Sequence, residues 1–322
     1  MQGIDRDVRT AADLLRAGRL VALPTETVYG LGADAENRAA VARIFQAKQR
    51  PASHPLIVHI AEPSQLGEWV DDVPDVARDL AAAFWPGPLT MIFPRGRRVP
   101  AETAGGGPTV AIRVPSHPVM HAVLKAFGGG VAAPSANRFG SVSPTTADHV
   151  RSDLGDAVDF ILDGGPCSVG VESTIVQVVD GSPSILRPGG VSREAIAQVV
   201  GGDVGVDQAS PIRVPGQHPS HYAPSARVVI TGTGELIDVA TAAQQRGHRV
   251  GVLLPAALRD APIDAHAVIA IPESLEEYAR RLYSIFRELD QRGCDLIVAS
   301  LPEPNDLGLA IANRLSRAAG PR

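Results

Sequence analysis

Short apolar runs alternate along the chain with longer stretches in which apolar residues recur three or four positions apart. The short runs are typical of buried strands, and the longer stretches are typical of amphipathic helices. Before residue 201 this pattern predicts helices at 6–16, 37–48, 76–84 and 118–127, and strands at 20–23, 56–60, 89–93, 110–114, 131–133, 160–162, 174–179 and 184–186. Alternating strands and helices indicate an α/β sheet domain, and the two strands around Asp180-Gly181 resemble a hairpin, so we expect a mixed sheet.

A change in composition near Gly201 marks a second part of the chain. Residues 201–225 are rich in Gly, Pro, Ser and His and have no regular apolar period, as is typical of a linker. Beyond them the pattern predicts strands at 227–230, 250–254 and 296–299 and helices at 236–245, 275–289 and 309–319. We therefore expect an α/β domain over 1–200, the linker over 201–225 and a smaller, Rossmann-like α/β domain over 226–322.

Composition and charge narrow the classes of function. Hydrophobic residues make up 44% of the 322 residues and charged residues 20%, which is ordinary for a chain with a buried core. The formal net charge of −5 does not indicate general nucleic-acid binding, which usually needs an excess of basic residues, but it is compatible with a local basic groove. Cys167 and Cys294 are too far apart for a disulfide framework or a zinc motif. The charged start and the lack of any apolar run of ~20 residues predict a soluble cytoplasmic protein without membrane contact.

Several nucleotide- and metal-binding motifs are absent from the sequence. It contains no GxxxxGK[ST] loop, no GxGxxG after a strand, no HExxH, no CxxC and no GxSxG elbow. His218 and His221 are three residues apart, but they lie in the Pro-rich linker, where a metal site is the less favoured interpretation. The sequence therefore predicts no metal held by protein ligands.

Polar residues follow the predicted strand at 20–23, at a place where open α/β sheets bind ligands. They are Thr25, Glu26, Thr27 and Tyr29, and two glycines come next in a turn-rich segment. These side chains either form a site or cap a turn, and the pattern alone favours neither interpretation.

Cations and hydroxyls follow other predicted elements. Lys48 and Arg50 flank one residue at a helix end and suit a polyphosphate, although offset of the helix dipole is the simpler explanation. Ser135 and Asn137 follow a short strand, and Ser143-Pro144-Thr145-Thr146 is expected to cap a helix; both segments suit an anion or serve as simple caps. Together these residues favour an enzyme that positions a polyanion and an amino-acid-sized molecule, whose own groups react.

The ordered motifs of the first 200 residues resemble those of the YrdC-like family of threonylcarbamoyl-AMP synthases. The motifs are PTETVYGLGADA, KQRP, PLIVHI, WPGPLT, TVAIRVP, APSAN, SPT, GVESTIV and ILRPGG. The linker VPGQHPSHYAP and the α/β domain after it resemble the long, two-domain form of the family. The resemblance implies a twisted open sheet with a positively charged concave surface. It also implies synthesis of threonylcarbamoyl-AMP from L-threonine, bicarbonate (or CO2) and ATP with Mg2+, for N6-threonylcarbamoyladenosine at position 37 of tRNA.

The resemblance also implies roles for individual residues. The contacts expected for L-threonine or its carbamate are Thr27, His59, Arg113, Ala133 and Ser173. The contacts expected for ATP are Lys48, Arg50, His54, Thr109, Ser135, Asn137, Ser143, Arg187 and, from the linker, Tyr222. Lys48 and Arg50 form the Lys-x-Arg motif and are the expected catalytic residues. Mg2+ is expected on the ATP phosphates, and the expected partners include a downstream threonylcarbamoyl transferase and a weak contact with tRNA.

Some positions depart from the family pattern. His54 stands where Asn is frequent, Phe139 where a small residue is usual, and Pro219-Ser220 where Tyr-Arg is typical. We expect residues 211–224 to form a lid over the active site. Two alternatives are a non-catalytic module of the same fold that binds double-stranded RNA and carbamoyl transfer as in hydrogenase maturation. The intact Lys48 and Arg50 favour the synthase over the first, and the lack of acylphosphatase-like and zinc-finger modules disfavours the second.

Overall fold

The computed structural model describes residues 2–179, 181–207, 210–216 and 221–321. The chain divides into two compact units, residues 1–139 with 143–217 and residues 140–142 with 218–322. The predicted linker over 201–225 is therefore shared between the two units.

The first unit contains the helices and strands expected before residue 201, with ends that differ by no more than four residues. Its helices are α1 (Gln2–Arg16), α2 (Arg38–Lys48), α3 (Leu66–Trp69), α4 (Asp75–Phe84), α5 (Pro118–Phe127), α6 (Ala147–Leu154) and α7 (Arg193–Val200). Its strands are β1 (Val21–Leu23), β2 (Gly30–Asp34), β3 (Ile57–His59), β4 (Leu89–Pro94), β5 (Thr109–Arg113), β6 (Val131–Ala132), β7 (Phe160–Ile161), β8 (Thr174–Val179), β9 (Ser182–Arg187) and β10 (Gly205–Val206). The helix expected after Ser143-Pro144-Thr145-Thr146 is α6, which Thr146 caps.

These strands form one mixed sheet in the order β10-β9-β8-β4-β5-β3-β6-β2-β1-β7. Strands β3 and β5 are parallel, β4 is antiparallel to β5 and parallel to β8, and β9 is antiparallel to β8. The β8–β9 pair is the hairpin expected around Asp180-Gly181, of which Asp180 lies outside the described residues. The prediction of a mixed sheet is thus confirmed.

The two faces of the central strands differ because successive side chains of a strand point to opposite sides. One face buries Val58 and Ile112 in the main hydrophobic cluster. The other face buries Ile57 and Ala111 in a smaller cluster that also contains Val214, from the segment after β10. The smaller cluster leaves part of this second face to polar residues.

Helix α2 shows how local sequence positions two of the expected site residues. The Asn37 side chain caps it by accepting from two backbone N–H groups, both at 3.1 Å. The helix ends where Gln49 adopts a left-handed conformation with φ 53° and ψ 43°. Lys48 and Arg50 therefore lie on either side of a sharp turn in the backbone.

Strand β2 is the main difference from the sequence prediction. Its two glycines suggested a turn-rich segment, but Gly30–Asp34 pairs with both β1 and β6. A Cβ on Gly32 would lie 2.9 Å from Cδ1 of Leu23 and 3.0 Å from Cγ1 of Val131. Glycine is needed here because the neighbouring strands close over this position, a tertiary requirement that local propensity does not reveal.

The second unit has strands β11 (Arg227–Ile230), β12 (Val250–Leu254), β13 (Ala267–Ala270) and β14 (Leu296–Ala299) and helices α8 (Leu236–Gln245), α9 (Leu275–Gln291) and α10 (Asp306–Ala318). Its strands are all parallel, in the order β11-β14-β12-β13. The expected Rossmann-like α/β arrangement is confirmed, although the sequence did not predict edge strand β13. Among the described residues, no helix is both long and apolar enough to cross a bilayer.

Candidate active site

A row of residues crosses adjacent strands on the second face of the first unit's sheet. The row follows the pairing of β3 with β5, β5 with β4, β4 with β8 and β8 with β9. Because directly paired residues share a face, their side chains point to the same side of the sheet. Strands lie about 4.8 Å apart, so the row spans about 19 Å. His59 pairs with Arg113, and Ile175 pairs with both Thr90 and Arg187. Continuing the β4–β5 register one residue beyond the Met91–Ile112 pair places Thr90 opposite Arg113. The register of β8 and β9 shifts beside Ile175, but Arg187 and Thr90 both contact Ser173 Oγ and so lie on the same side. We call His59, Arg113, Thr90, Ile175 and Arg187 the cross-strand row.

The Arg113 guanidinium is held at three of its nitrogens. Its Nε donates to the carbonyl oxygen of Gly87 at 3.2 Å, and its Nη1 donates to Oγ1 of Thr27 at 2.9 Å. Its Nη2 lies 2.7 Å from Oε1 of Glu26 in an ion pair whose partners are both buried. The guanidinium plane is therefore fixed, which suits two-point recognition of a carboxylate.

Glu26, Arg113 and His59 form a cluster in which burial and the charge of Arg113 set the protonation states of the other two side chains. Burial alone would raise the pKa of the Glu26 carboxyl, but the charge and hydrogen bond of Arg113 outweigh it and leave that pKa below the ordinary 4.5. Burial, followed by the charge of Arg113, lowers the pKa of His59 to about 3. At neutral pH the cluster thus holds one anion, one cation and a neutral imidazole.

Ser173, directly before β8, connects two members of the cross-strand row. Its Oγ lies 2.8 Å from Oγ1 of Thr90. Nη2 of Arg187 donates to the Ser173 carbonyl oxygen at 2.8 Å and to its Oγ at 3.2 Å. All three side chains are buried. They form a cluster of hydroxyls and a guanidinium that can bind an oxyanion.

The segment that carries Ser173 packs against Gly189 of the ILRPGG motif. A Cβ on Gly189 would lie 2.3 Å from both the Glu172 carbonyl oxygen and the Ser173 carbonyl carbon. The position of Ser173 therefore depends on the absence of a side chain at residue 189.

Lys48 closes the turn that follows β6. Its Nζ donates to the carbonyl oxygens of Ser135 and Asn137, both at 2.5 Å. Burial, followed by the charge of Arg50, lowers the pKa of the Lys48 ammonium well below its ordinary value. The structure thus brings these three expected site residues together and makes Lys48 a support of the turn.

The same turn is bonded to the segment that carries Thr27. The Leu31 N–H donates to the carbonyl oxygen of Pro134 at 2.7 Å. Ala133, which opens the turn, is buried, and a Cβ on Gly30 would lie 3.0 Å from the Ala133 Cβ. Small residues therefore let the turn approach the start of β2 closely.

The two departures from the family pattern in the first unit contact each other. The rings of His54 and Phe139 meet edge to face with centroids 5.3 Å apart, and the Arg50 guanidinium lies 6.0 Å from the Phe139 centroid. A cavity of about 400 Å³ is lined by Ser53 and Pro55, the two neighbours of His54 along the chain. Its lining includes Thr109, at the opposite end of β5 from Arg113, and Pro55, to whose carbonyl Arg50 donates at 2.9 Å.

Ser143 and Tyr222 are the remaining expected residues. The Ser143 hydroxyl donates to Oε1 of Glu172 at 2.6 Å. Tyr222 belongs to the second unit, where its buried ring lies 6.0 Å from that of Tyr283, so its contact with ATP stays a prediction. Of the His218–His221 pair, His218 lies outside the described residues, as do Pro219 and Ser220. No group of three or more His, Cys, Asp or Glu side chains suited to a metal ion occurs in the described part of the chain.

The structure places two further residues in the site: Thr90, which sequence reasoning did not consider, and Glu26, which it left open between a site and a turn cap. Thr90 precedes the core residue Met91 in β4, and successive strand residues point to opposite faces. This alternation could have predicted that Thr90 lies on the same face as Arg113. Glu26 belonged to a polar cluster, but only the fold reveals its partner in a strand distant along the chain.

Two family patterns together match almost the whole chain. Residues 13–189 match the Sua5/YciO/YrdC family, described as "Telomere recombination", and residues 191–320 match "Threonylcarbamoyl-AMP synthase, C-terminal domain". The threonylcarbamoyl-AMP synthase of Pyrococcus abyssi is 40% identical over 98% of this chain and 94% of its own length. That of Bacillus subtilis is 43% identical over 99% of this chain and 94% of its own length.

A solved structure is similar over the same extent. Pyrococcus abyssi Sua5 complexed with L-threonine superposes with a TM-score of 0.89 at 38% identity, and the match covers 98% of this chain and 94% of that one. The sequence motifs, the mixed sheet and these matches agree, and the chain belongs to the Sua5/YciO/YrdC family in its two-domain form.

Proposed function

We propose that this protein is an L-threonylcarbamoyladenylate synthase that acts in N6-threonylcarbamoyladenosine formation at position 37 of tRNA. It combines L-threonine, bicarbonate or CO2, and ATP, and releases pyrophosphate. The observation that carries the proposal is the cross-strand row, where Arg113, Thr90 and Arg187 place buried cations and a hydroxyl on one face of the sheet. Relatives named threonylcarbamoyl-AMP synthase over nearly the whole chain support it.

The L-threonine subsite is formed by Thr27, His59, Arg113, Ala133 and Ser173. Arg113, anchored at three nitrogens, donates hydrogen bonds to the substrate carboxylate. The hydroxyls of Thr27 and Ser173 bond the substrate, and a site built for a hydroxyl discriminates against amino acids that lack one. A neutral His59 provides a hydrogen-bonding ring without further charge.

The ATP subsite is formed by Lys48, Arg50, His54, Thr109, Ser135, Asn137, Ser143 and Arg187. Arg50 and Arg187 offset charge on the phosphates. Lys48 is a catalytic residue in this proposal, because a triphosphate beside it would favour its charged form. It also supports the turn after β6 through its bonds to the Ser135 and Asn137 carbonyl oxygens. The cations and hydroxyls here are unsuited to holding a metal ion, so Mg2+ enters as the complex with ATP and neutralises phosphate charge.

In the reaction, the L-threonine amine is carboxylated, and the carbamate oxygen attacks the α-phosphorus of ATP. The bond from that phosphorus to the bridging oxygen breaks, and pyrophosphate leaves. The protein positions the reactants and stabilises charge, so no protein nucleophile is needed. A downstream threonylcarbamoyl transferase then receives the product, and contact of this chain with tRNA is weak.

The test is pyrophosphate release together with mass spectrometry of the adenylate product. Both should require L-threonine, bicarbonate and Mg2+-ATP, and omission of any one should abolish them. If folded protein releases no pyrophosphate yet binds double-stranded RNA, the synthase proposal is wrong and the RNA-binding alternative is favoured.

A further inference from the structure

Another cavity of the first unit lies apart from the cross-strand row. It has a volume of about 630 Å³, and its walls come from helices α3 and α4 and the segments beside them. Leu66, Val70, Ala81 and Trp85 line it, and all four belong to the main hydrophobic cluster, which packs on the face of the sheet opposite to the row. This α3–α4 groove therefore belongs to a different face from the proposed active site.

The inner wall of the α3–α4 groove is apolar. The Trp85 Nε1–H donates to the carbonyl oxygen of Leu89 at 2.7 Å, so the polar atom of the indole ring already has its partner. Leu66, Val70 and Ala81 add aliphatic surface beside the ring. A ligand group that fits this wall gains mainly from removal of apolar surface from water.

The rim of the groove carries an excess of negative charge. Asp71 and Asp72 line it and are exposed, and neither forms an ion pair with another described residue. Arg78 also lines the groove, but Asp75 lies 3.6 Å from its Nε and offsets its charge. Two uncompensated carboxylates beside apolar surface suit a ligand that combines apolar groups with cations.

The walls of the groove favour a helical ligand over an extended one. No lining residue belongs to strands β1–β10, so the groove offers no strand edge on which an extended peptide could pair. A helix satisfies its own backbone groups and needs only a groove for its apolar side. Gly67 and Ala82 are small, exposed lining residues, and a Cβ on Gly67 would have nothing within 4 Å, so another backbone can approach closely.

We propose that the α3–α4 groove is a docking site for a basic amphipathic helix of a partner protein. The apolar side of that helix packs against Leu66, Val70 and Trp85, and its lysines or arginines pair with Asp71 and Asp72. The inference goes beyond the proposed function and does not depend on it, because it uses no residue assigned there to L-threonine or ATP.

The probe is a synthetic helical peptide of about 18 residues, in which leucines recur three or four positions apart and lysines fill the opposite side. A reference peptide has the same leucines but glutamates in place of the lysines. Fluorescence anisotropy of the labelled peptides gives their dissociation constants for the full-length protein. We expect the lysine peptide to bind at least about tenfold more tightly, because Asp71 and Asp72 attract it and repel the other.

A charge variant separates the groove from the general negative charge of the protein. The double change Asp71→Asn with Asp72→Asn should weaken binding of the lysine peptide by about fivefold or more. Asp260→Asn with Asp264→Asn removes the same charge at exposed positions of the second unit and should leave the dissociation constant unchanged.

A steric variant tests the groove without a change of charge. Ala82→Phe adds a ring to the groove and should weaken the lysine peptide by about tenfold or more. Ala83→Phe is the matched control, since Ala83 is the next residue of α4, is also exposed and does not line the groove. Circular dichroism checks that each variant folds, and the comparison of the two peptides needs no variant.

Four results would overturn the docking site: no binding of the lysine peptide, equal affinity for both peptides, equal losses in the groove variants and their controls, or butylamine bound as tightly as the peptide. Sedimentation velocity provides a further check. Dimers of the protein alone that Ala82→Phe dissociates would assign the groove to a second copy and also overturn the proposal. Absence of pyrophosphate release would contradict the proposed function and leave this inference unchanged.

Discussion

The two sheets of this protein place their charged groups differently. In the first unit, buried polar or charged side chains lie on one face of the central strands, where Arg113 and Glu26 pair away from solvent. In the second unit, every residue of β12 and β14 is buried and most are aliphatic, and ion pairs such as Arg292–Glu288 lie at the surface. Part of one face of the first unit's sheet is lined by buried polar side chains, whereas β12 and β14 of the second unit carry none.

This difference indicates where function lies, because buried charges are costly unless they are paired and hydrogen bonded. The first unit offsets the cost with anchors on three nitrogens of Arg113 and with the hydroxyl contacts around Ser173. Surface pairs in the second unit have no such cost and contribute little. If this contrast is right, equivalent substitutions should have very different effects in the two units.

The largest effect is expected for Arg113→Gln. It leaves the Glu26 carboxylate buried without its partner, so the free energy of unfolding should fall by about 3 kcal/mol. L-threonine-dependent pyrophosphate release should fall by about a hundredfold or more because the carboxylate contact is lost. Urea unfolding and the pyrophosphate assay measure the two effects, with the exposed Arg193→Gln as the control. Near-normal stability and turnover of Arg113→Gln would remove the contrast between the units.

Gly189→Ala should be the next most damaging change. A Cβ at residue 189 meets backbone atoms of Glu172 and Ser173 at 2.3 Å, so the segment before β8 must shift. A displacement of this kind should lower turnover by about tenfold or more. Gly202→Ala is the matched control, since nothing lies within 4 Å of a Cβ there. If both variants retain the same kcat and KM, the placement of Ser173 is not set by this contact.

The buried pair also predicts a pH dependence of stability. The pKa of Glu26 is lowered in the folded protein, so its contribution is fully present above its ordinary value of 4.5 and is lost as the pH falls through the lower folded value. The difference in unfolding free energy between the unmodified protein and Glu26→Gln should therefore shrink in acid. Urea titrations at a series of pH values measure it. A difference that stays constant from pH 7 to acid would contradict ionic pairing of Glu26.

A smaller effect is expected for Thr90→Val. The change keeps the shape but removes the hydroxyl that lies 2.8 Å from Ser173 Oγ. Loss of one buried hydrogen bond should cost about 1 kcal/mol, which corresponds to roughly a fivefold rise in the KM for L-threonine. The KM for ATP provides the internal comparison. An equal rise in both constants would show that Thr90 supports the fold and has no particular role in the L-threonine subsite.

The smallest effect is expected for Glu288→Gln in the second unit. Glu288 pairs with Arg292 one helical turn away, and both side chains are substantially exposed. The free energy of unfolding should change by less than about 0.5 kcal/mol, and turnover should not change. A loss as large as that of Arg113→Gln would show that surface pairs of the second unit matter more than their exposure suggests.

Much of the fold could be predicted because local patterns agree with the final structure. Helix α5 and strands β8, β11 and β12 begin and end where periodicity placed them, and Asn37 caps α2 as its residue type predicts. The sequence prediction missed strand β2. Its glycines weaken any local strand signal, and they are needed because the neighbouring strands leave no room for a side chain. Helix α7 and the short edge strands β10 and β13 were also not anticipated.

The sequence by itself determined the α/β class, the family and the residue types available for anion binding, because these depend on order and spacing along the chain. Only the tertiary structure decided which of those residues meet. The cross-strand row depends on sheet register, and register joins strands that are distant in sequence. For the same reason, Lys48 became a support for the turn at Ser135, and Glu26 acquired Arg113 as its partner.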